Sequence, residues 1–135
     1  MPFLQKLTRQ LHLEERVHLL GYRTDIPDML GAADIFCMPS RREGCGMAAL
    51  EAMAAGLPLI TVRSHGTKTY AEKGESGFCL KGDLVTSCAD AIEQLADNKL
   101  LRRQMGARNR AAAAAFSDAD RMMLLRGYYQ KALGD

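Results

Sequence analysis

The sequence contains no tryptophan, and its other aromatic residues are scarce, at four tyrosines and four phenylalanines. It contains no apolar run of the length that spans a membrane. The first ten residues, MPFLQKLTRQ, lack the apolar core of a signal peptide. We therefore expect a cytoplasmic chain, and an acceptor substrate at the inner face of the membrane is compatible with that expectation.

Neither sign of charge dominates. The sequence has eighteen basic and sixteen acidic residues, which gives a formal net charge of +2. This balance argues against a nucleic-acid partner, because such proteins concentrate positive charge. The chain has 135 residues, of which 47% are hydrophobic and 25% are charged. These values are typical of one soluble globular domain that buries its own core without metal or disulfide support.

Cysteine is also sparse, and the four residues form no metal-binding pattern. Cys37, Cys45, Cys79 and Cys88 include no pair with C-x-x-C spacing, and their gaps do not suggest a zinc site. Cys37 and Cys79 lie inside apolar runs. The sequence therefore predicts buried, reduced thiols that act as small hydrophobic side chains.

Short apolar segments alternate with helical segments along the chain. The predicted strands are 17–20, 35–38, 59–62 and 77–80, and the predicted helices are 2–10, 26–32 (capped by Asp25), 46–55, 84–97, 99–115 and 118–133. The strands are almost wholly apolar rather than alternating, which is typical of a parallel sheet covered by helices on both faces. We predict an α/β fold, a Rossmann-like parallel sheet with flanking helices and a helical C-terminal tail.

The segment 39–58 carries the candidate chemistry, because it runs from a strand through a glycine-bearing turn into a helix. In such sheets, ligands bind outside the carboxyl ends of the strands. Gly44 and Gly46 remove side chains from the turn, so that a ligand can approach the backbone closely. The first amides of the helix, at residues 45–48, lack intrahelical acceptors and lie at the positive end of the helix dipole. A diphosphate is the kind of group that they would hold.

Two carboxylates flank this turn. Glu43 precedes the helix and Glu51 lies inside it among apolar residues. Each can accept hydrogen bonds from a pair of hydroxyls, which suits sugar and ribose recognition. The spacing alone leaves alternatives open. Glu43 can be an ordinary helix-entry carboxylate, and Glu51 can be a structural carboxylate that bonds to a neighbouring loop and so offsets its burial.

The whole segment resembles the signature of family 4 glycosyltransferases. The residues that carry the resemblance are Glu43-x7-Glu51 inside Pro39-Ser40…Glu43-Gly44-x-Gly46…Leu50-Glu51-Ala52-Met53-Ala54-x-Gly56-x-Pro58. Residues 21–34 and 74–78 are similar to the flanking segments of that domain, and the likeness extends from about residue 2 to the end. The resemblance implies the C-terminal, donor-binding half of a GT-B fold in a retaining enzyme that needs no metal or other cofactor.

The same resemblance implies roles for individual residues. Glu43 would contact the donor sugar as the catalytic candidate, and Glu51 would hold the ribose hydroxyls. The turn would approach the sugar and the diphosphate through the backbone of Gly44, Cys45, Gly46 and Met47. The loop at Tyr22 and Arg23 would lie near the base. The implied reaction transfers a sugar from a nucleoside diphosphate (NDP)-sugar to a hydroxyl acceptor, in polysaccharide or glycolipid synthesis.

The sequence departs from the family pattern at several places. Cys45 replaces a larger apolar residue, and Thr69 stands where an acidic residue often follows the His65-Gly66 turn. The two strands that begin the family's domain, with their basic pair for the donor phosphates, have no counterpart here. We therefore expect 1–135 to be one partial nucleotide-sugar-binding domain, inactive alone. The acceptor-binding N-terminal domain is absent from it and would be supplied in cis or in trans, with possible peripheral membrane contact in the full enzyme.

Alternative functions were weighed against this one. A non-enzymatic nucleotide-sugar-binding subunit of a split enzyme fits the same residues, whereas a sugar-nucleotide epimerase is disfavoured by the family 4 signature. The sequence Asp118-Ala119-Asp120 spells a metal-binding DxD pattern but follows Ser117 at a helix start, where acidic residues complement the dipole.

The missing strands also predict how the sheet ends. In the family's strand order, 3-2-1-4-5-6, residues 17–20 match strand 3 and residues 35–38 match strand 4. Without strands 1 and 2 between them, strand 4 presents a bare apolar edge, and such edges recruit other strands. We expect residues 17–20 to pair onto residues 35–38, or the chain to self-associate through that edge.

Overall fold

Apart from residues 17–20, helices and short strands follow one another in the order expected from the sequence. The computed structural model describes residues 2–44, 46–62 and 76–116. The elements are α1 (Pro2–Gln10), α2 (Ile26–Ala32), β1 (Phe36–Met38), α3 (Met47–Ala55), β2 (Leu59–Val62), β3 (Gly77–Leu80), α4 (Leu84–Asp97) and α5 (Lys99–Ala113), followed by a 3-10 turn (Ala114–Phe116). The expectations for Cys45, His65, Thr69, the Asp118–Asp120 pattern and the 118–133 helix lie outside the described residues.

The three strands form one parallel sheet in the order β1-β2-β3. Leu59 of β2 lies opposite Phe36 of β1 and Gly77 of β3. Gly77 has φ +148, and a Cβ there would lie 1.9 Å from the Leu59 carbonyl oxygen. Only glycine therefore allows β3 to approach β2 at this register. The predicted α/β fold with a parallel sheet is confirmed.

Apolar side chains cover both faces of the sheet, as the continuous apolar strands predicted. The cluster on the α3 side consists of Ala49, Leu50, Ala52, Met53, Leu57 and Leu59. The cluster on the α4 side consists of Ile60, Leu80, Ala91, Leu95 and Met105. The two clusters place α3 and α4 on opposite faces, so the sheet is the middle layer of a three-layer arrangement.

Polar contacts fix α5 against the sheet and against the end of α3. The Asn109 amide nitrogen donates to the carbonyl oxygens of Leu57, at 2.6 Å, and of Ser76, at 2.8 Å, and Asn109 is fully buried. Arg110 donates to the carbonyl oxygen of Ala55 at 2.9 Å. This bond places a cation at the negative end of α3, where it is stabilising.

The predicted strand at residues 17–20 does not form. These residues have no assigned secondary structure, and Val17, Leu19 and Leu20 are exposed by 41%, 36% and 52%. The expectation that this segment pairs onto β1 is therefore wrong. A strand needs a partner for its backbone groups, and the sheet of the described residues ends at β1. The other expectation, self-association through that edge, stays a prediction.

The position of β1 at the sheet edge also changes the environment of Cys37. Its side chain is exposed, whereas burial was expected, because the sheet has no strand beyond β1 among the described residues. Cys79, on β3, is half-buried. No disulfide joins the described cysteines, so the expectation of reduced thiols stands for them. Within the described ranges, no helix is long and apolar enough to cross a membrane.

Candidate functional site

The candidate site begins where β1 ends and α3 starts. Gly46 precedes α3 with φ 68 and ψ 47, a left-handed conformation that favours glycine. Its carbonyl oxygen accepts hydrogen bonds from the amides of Ala49, at 2.8 Å, and Leu50, at 3.1 Å. The turn at Gly46 therefore directs the chain from the carboxyl end of β1 into the first turn of α3, as the sequence predicted.

Glu43 occupies part of the helix terminus itself. Its Oε1 accepts a hydrogen bond from the Gly46 amide at 3.3 Å, and its side chain is half-buried. A carboxylate at this place complements the helix dipole and satisfies one of the amides that the sequence left free for a ligand. The Gly46 amide therefore has no intrahelical acceptor, as expected, but Glu43 of the same turn already bonds to it.

The next two amides remain available to a ligand. The structure records no acceptor for the backbone amides of Met47 and Ala48 among the described residues, and both residues are exposed. These amides belong to the first turn of a nine-residue helix and lie at its positive end. They are therefore suited to an anionic oxygen, such as that of a phosphate.

Glu51 lies on the same face of α3 as Met47, one turn further along the helix. Its apolar neighbours along the chain predict a buried carboxylate that needs a partner or a ligand, but the side chain is exposed. No hydrogen bond or ion pair to Glu51 is recorded within the described parts of the chain. The structural alternative, a bond to a neighbouring loop, receives no support from these residues, and the carboxylate is open to a ligand.

Glu51 also lies between two concave surfaces. The larger one, the α2–α3 groove, has a volume of about 540 Å³ and is lined by Ile26, Pro27, Leu30, Gly31, Glu51, Ala54 and Ala55. The α3–α5 groove has a volume of about 460 Å³ and is lined by Met47, Leu50, Glu51, Ala54, Arg110, Ala113, Ala114 and Phe116. Both grooves are mostly apolar with few polar groups, which is the usual character of a small-molecule site.

Tyr22 and Arg23 lie in the loop before α2. Tyr22 is 92% exposed. Arg23 forms an ion pair with Asp25, whose Oδ1 accepts a hydrogen bond from Arg23 Nε at 2.7 Å. The bond from Arg23, with a contribution from a backbone hydrogen bond, holds the pKa of Asp25 below its ordinary value of 3.8. Neither Tyr22 nor Arg23 lines the α2–α3 groove.

Asp25 was expected to cap α2 through its side chain, and this expectation is wrong. The residue stands at the N-cap position, but its carboxylate makes no capping bond. Arg23 competes for the same oxygens, and a charged donor makes the stronger hydrogen bond. The groove is instead lined by Ile26 and Pro27, which immediately follow.

Four residues of the groove wall, Ile26, Pro27, Leu30 and Gly31, were not predicted as site residues, although they lie in the segment that resembles the family. The pattern of these residues predicts only a short helix. It does not indicate whether their side chains line a groove or pack in the core. Gly44, in the turn before α3, borders open space. Its φ is not positive, and a Cβ added there would meet no atom within 4 Å. The protein backbone does not require glycine at 44, which leaves room for a ligand.

The described residues contain no group of three or more histidine, cysteine, aspartate or glutamate side chains that could hold a metal ion. In those ranges, the chemistry on offer at the site is therefore a free carboxylate, two free amides at a helix terminus and two apolar grooves. This combination fits a ligand that carries hydroxyl groups, a phosphate and a flat apolar part.

Comparison with known proteins supports this interpretation of the fold. Residues 3–112 match the sequence profile of the family described as glycosyl transferases group 1. N-acetyl-alpha-D-glucosaminyl L-malate synthase of Bacillus anthracis is 37% identical over 106 residues, which make up 78% of this chain and 28% of that protein. D-inositol 3-phosphate glycosyltransferase of Corynebacterium diphtheriae is 35% identical over 126 residues, 92% of this chain and 30% of that protein.

Solved structures give the same result for the fold. The crystal structure of Anabaena HepE in complex with UDP-glucose superimposes with a TM-score of 0.78 at 27% identity, covering 84% of this chain and 31% of HepE. The chain thus spans about a third of the length of these relatives. The residues that match the family profile, 3–112, include β1, α3 and the lining of the α2–α3 groove.

Proposed function

This chain belongs to the family of group 1 glycosyl transferases, and we propose that it carries the nucleotide-sugar site of a retaining glycosyltransferase with a GT-B fold. The complete enzyme would transfer a sugar from an NDP-sugar to a hydroxyl acceptor in polysaccharide or glycolipid synthesis. The observation that carries the proposal is the exposed carboxylate of Glu51, one helical turn from the amides of Met47 and Ala48. Among the residues that the structure describes, neither the carboxylate nor the two amides has a hydrogen-bond partner.

The donor would lie across the N-terminal end of α3. In this arrangement the Glu51 carboxylate accepts hydrogen bonds from the two ribose hydroxyls, because an ionised carboxylate offers two acceptor oxygens. The diphosphate contacts the amides of Met47 and Ala48, where the helix dipole favours negative charge. An apolar groove beside Glu51 then receives the flat base, and the α2–α3 groove is the larger of the two.

Glu43 and the turn at 44–46 would face the sugar. Glu43 is held by the Gly46 amide, so that its second carboxylate oxygen, Oε2, remains free to accept a hydroxyl of the donor. Gly44 leaves open space beside it. Cys45, Tyr22 and Arg23 complete the proposed contacts, as the resemblance implies. The protein's contribution to the reaction would be positioning and stabilisation of the leaving diphosphate, with no metal required.

Titration of UDP, GDP and ADP by calorimetry tests the nucleotide site. Losing a charged hydrogen-bond partner costs roughly 1.5–3 kcal/mol, so we expect Glu51→Ala to weaken every nucleotide by about ten-fold or more. Glu43→Ala should change nucleotide affinity less, because its proposed contact is to the sugar. Glu93→Ala, an exposed glutamate on α4, serves as the matched control. Unchanged affinity for all three nucleotides in Glu51→Ala, with Tm preserved, would refute the assignment.

A transfer assay tests the activity of the chain by itself. The chain spans about a third of its relatives, and the acceptor site is proposed to lie on a separate domain. We therefore expect nucleotide binding without product when the chain is incubated with NDP-sugars and lipid or sugar acceptors. A transferred product detected by mass spectrometry would contradict this part of the proposal.

A further inference from the structure

Two of the four cysteines face each other across the interface between the sheet and α4. Cys37 is the central residue of β1, and Cys88 lies in the second turn of α4. Their sulfur atoms are 3.6 Å apart, although the residues are 51 positions apart in the sequence. This proximity is independent of the nucleotide site.

Regular elements of the core hold both sulfurs in place. Cys88 belongs to the inward face of α4, together with Leu84, Ala91 and Leu95, and this face packs against the sheet. Cys37 shares its face of β1 with Ile35, which packs into the same cluster. The pair is thus a product of strand alternation and helical periodicity rather than of a loop conformation.

The surroundings of the pair determine its reactivity. The Cys37 side chain is reachable from solvent because β1 is the edge of the described sheet. Partial burial of its sulfur, together with the hydrogen bond to Cys88, raises the pKa of the Cys37 thiol to about 12. Since the thiolate is the nucleophile, Cys37 reacts slowly at neutral pH despite its exposure.

We propose that Cys37 and Cys88 form an intramolecular disulfide in the folded chain when it meets a low-molecular-weight disulfide such as oxidised glutathione. One cysteine thiolate attacks a glutathione sulfur and displaces one glutathione thiolate. The second cysteine thiolate then attacks the protein sulfur of the mixed disulfide and displaces the other glutathione thiolate. Two protein thiols are oxidised, one glutathione disulfide is reduced, and the two cysteine protons end on the two glutathione thiols or in solvent.

The geometry requires only a small movement. The sulfurs must approach from 3.6 Å to the S–S bond length of about 2.05 Å. The bond would join β1 to α4 and close a loop of about 50 residues, which restricts the unfolded chain. We therefore expect oxidation to raise the Tm by about 10 °C.

The test uses the full chain with Cys45→Ser and Cys79→Ser, which leaves only the proposed pair. The folded protein is incubated with oxidised glutathione at pH 8, quenched with acid, alkylated in denaturant and mapped by mass spectrometry. We expect one peptide that joins Cys37 to Cys88, a mass lower by two hydrogen atoms and a monomer on non-reducing electrophoresis. Adding Cys37→Ser or Cys88→Ser to this background should instead give a persistent mixed disulfide with glutathione.

Three outcomes would overturn the proposal: no linked peptide, links between two molecules only, or links that appear only after unfolding in urea. The wild-type chain provides a second measurement that does not depend on the folding of any variant. There, Cys79 is half-buried on the opposite face of the sheet from Cys37 and should stay free. A wild-type link that contains Cys79 in place of Cys37 or Cys88 would also refute the pairing.

Discussion

The helices α1 and α3 are both nine residues long, yet only α3 has buried residues. In α1 the apolar residues Phe3, Leu4 and Leu7 recur at helical spacing, but none of its residues is buried. In α3 apolar residues occur all around the helix, and four of them are buried. Amphipathic spacing thus indicates which face of a helix is available for burial. Whether burial occurs depends on the elements packed against that face.

The same division runs through the whole described chain. None of the residues from 2 to 44 is buried, and every buried residue lies at position 46 or later. The α3 helix contacts α2 on one side and α5 on the other, in addition to the sheet. The stability of this chain is therefore expected to come from its second part, and paired substitutions in the two parts can test that expectation.

The largest difference is expected between two glycine substitutions. In Gly77→Ala the new Cβ would lie 1.9 Å from the Leu59 carbonyl oxygen at a φ of +148, so β3 cannot keep its place beside β2. We expect a loss of more than about 4 kcal/mol or failure to fold. Gly31→Ala, in α2, meets nothing within 4 Å and should change stability by less than about 1 kcal/mol. Urea unfolding followed by circular dichroism measures the free energy of unfolding of both variants. Similar losses of stability in the two variants would contradict the expected difference between the two parts of the chain.

Much of this fold could be predicted from the sequence, because the informative signals are local. The bounds of α1, α4 and β2 follow from helix-forming residues and apolar runs. The error at residues 17–20 arises because a strand is defined by its neighbour. Val17, Leu19 and Leu20 have the composition of a strand, but β1 is not paired to them. Cys37 is exposed for the same reason. Among the described residues, no strand pairs with the outer edge of β1 and covers its side chains.

The second prediction compares two large apolar side chains. Met53 of α3 is completely buried in the cluster beside the sheet, and Met53→Ala removes most of its contacts. We expect a loss of about 2–5 kcal/mol. Phe3 of α1 is 74% exposed, and Phe3→Ala should cost less than about 0.5 kcal/mol. Denaturant titration of each variant against wild type gives the difference. A large loss from Phe3→Ala would show that α1 packs in solution.

The third prediction compares two aspartates at helix starts. The Asp83 carboxylate accepts hydrogen bonds from the Thr86 hydroxyl, at 2.6 Å, and the Val85 amide, at 3.1 Å, which lower its pKa below the ordinary value of 3.8. It caps α4, a helix with buried residues. Asp25 has a lowered pKa too, but it bonds to Arg23 and leaves α2 uncapped. We therefore expect Asp83→Ala to lower the Tm at pH 7 and Asp25→Ala to leave it unchanged.

The pH dependence of Asp83 follows from the direction of its shift. Since its pKa is lower in the folded state, its stabilising contribution is fully present above the ordinary value and is lost as the pH falls through the lowered one. The difference in Tm between wild type and Asp83→Ala should thus shrink as the pH is taken from 5 to below about 3. A difference that stays constant over this range would argue against the carboxylate as its source.

The candidate site shows the same limit of sequence reasoning. Its position after β1 and the two glutamates could be predicted, because the glycine turn and the helix start are local features. The hydrogen bond from the Gly46 amide to Glu43 could not be predicted from the sequence, because it depends on the conformation of the turn. The exposure of Glu51 could not be predicted either, because its apolar neighbours along the chain suggested burial. The helix places those neighbours on other faces.

The smallest expected effect has the opposite sign and concerns two threonines. Thr61 of β2 is fully buried, and its hydroxyl oxygen has no hydrogen-bond partner in the part of the chain that the structure describes. A buried hydroxyl without a partner carries a desolvation cost, so Thr61→Val should stabilise the chain by up to about 1 kcal/mol. Thr8 of α1 donates its hydroxyl to the Leu4 carbonyl oxygen at 2.9 Å, and Thr8→Val should stay within about 0.5 kcal/mol of wild type. Thermal unfolding measures both variants, and a clear loss of stability in Thr61→Val would show that its hydroxyl is satisfied in solution.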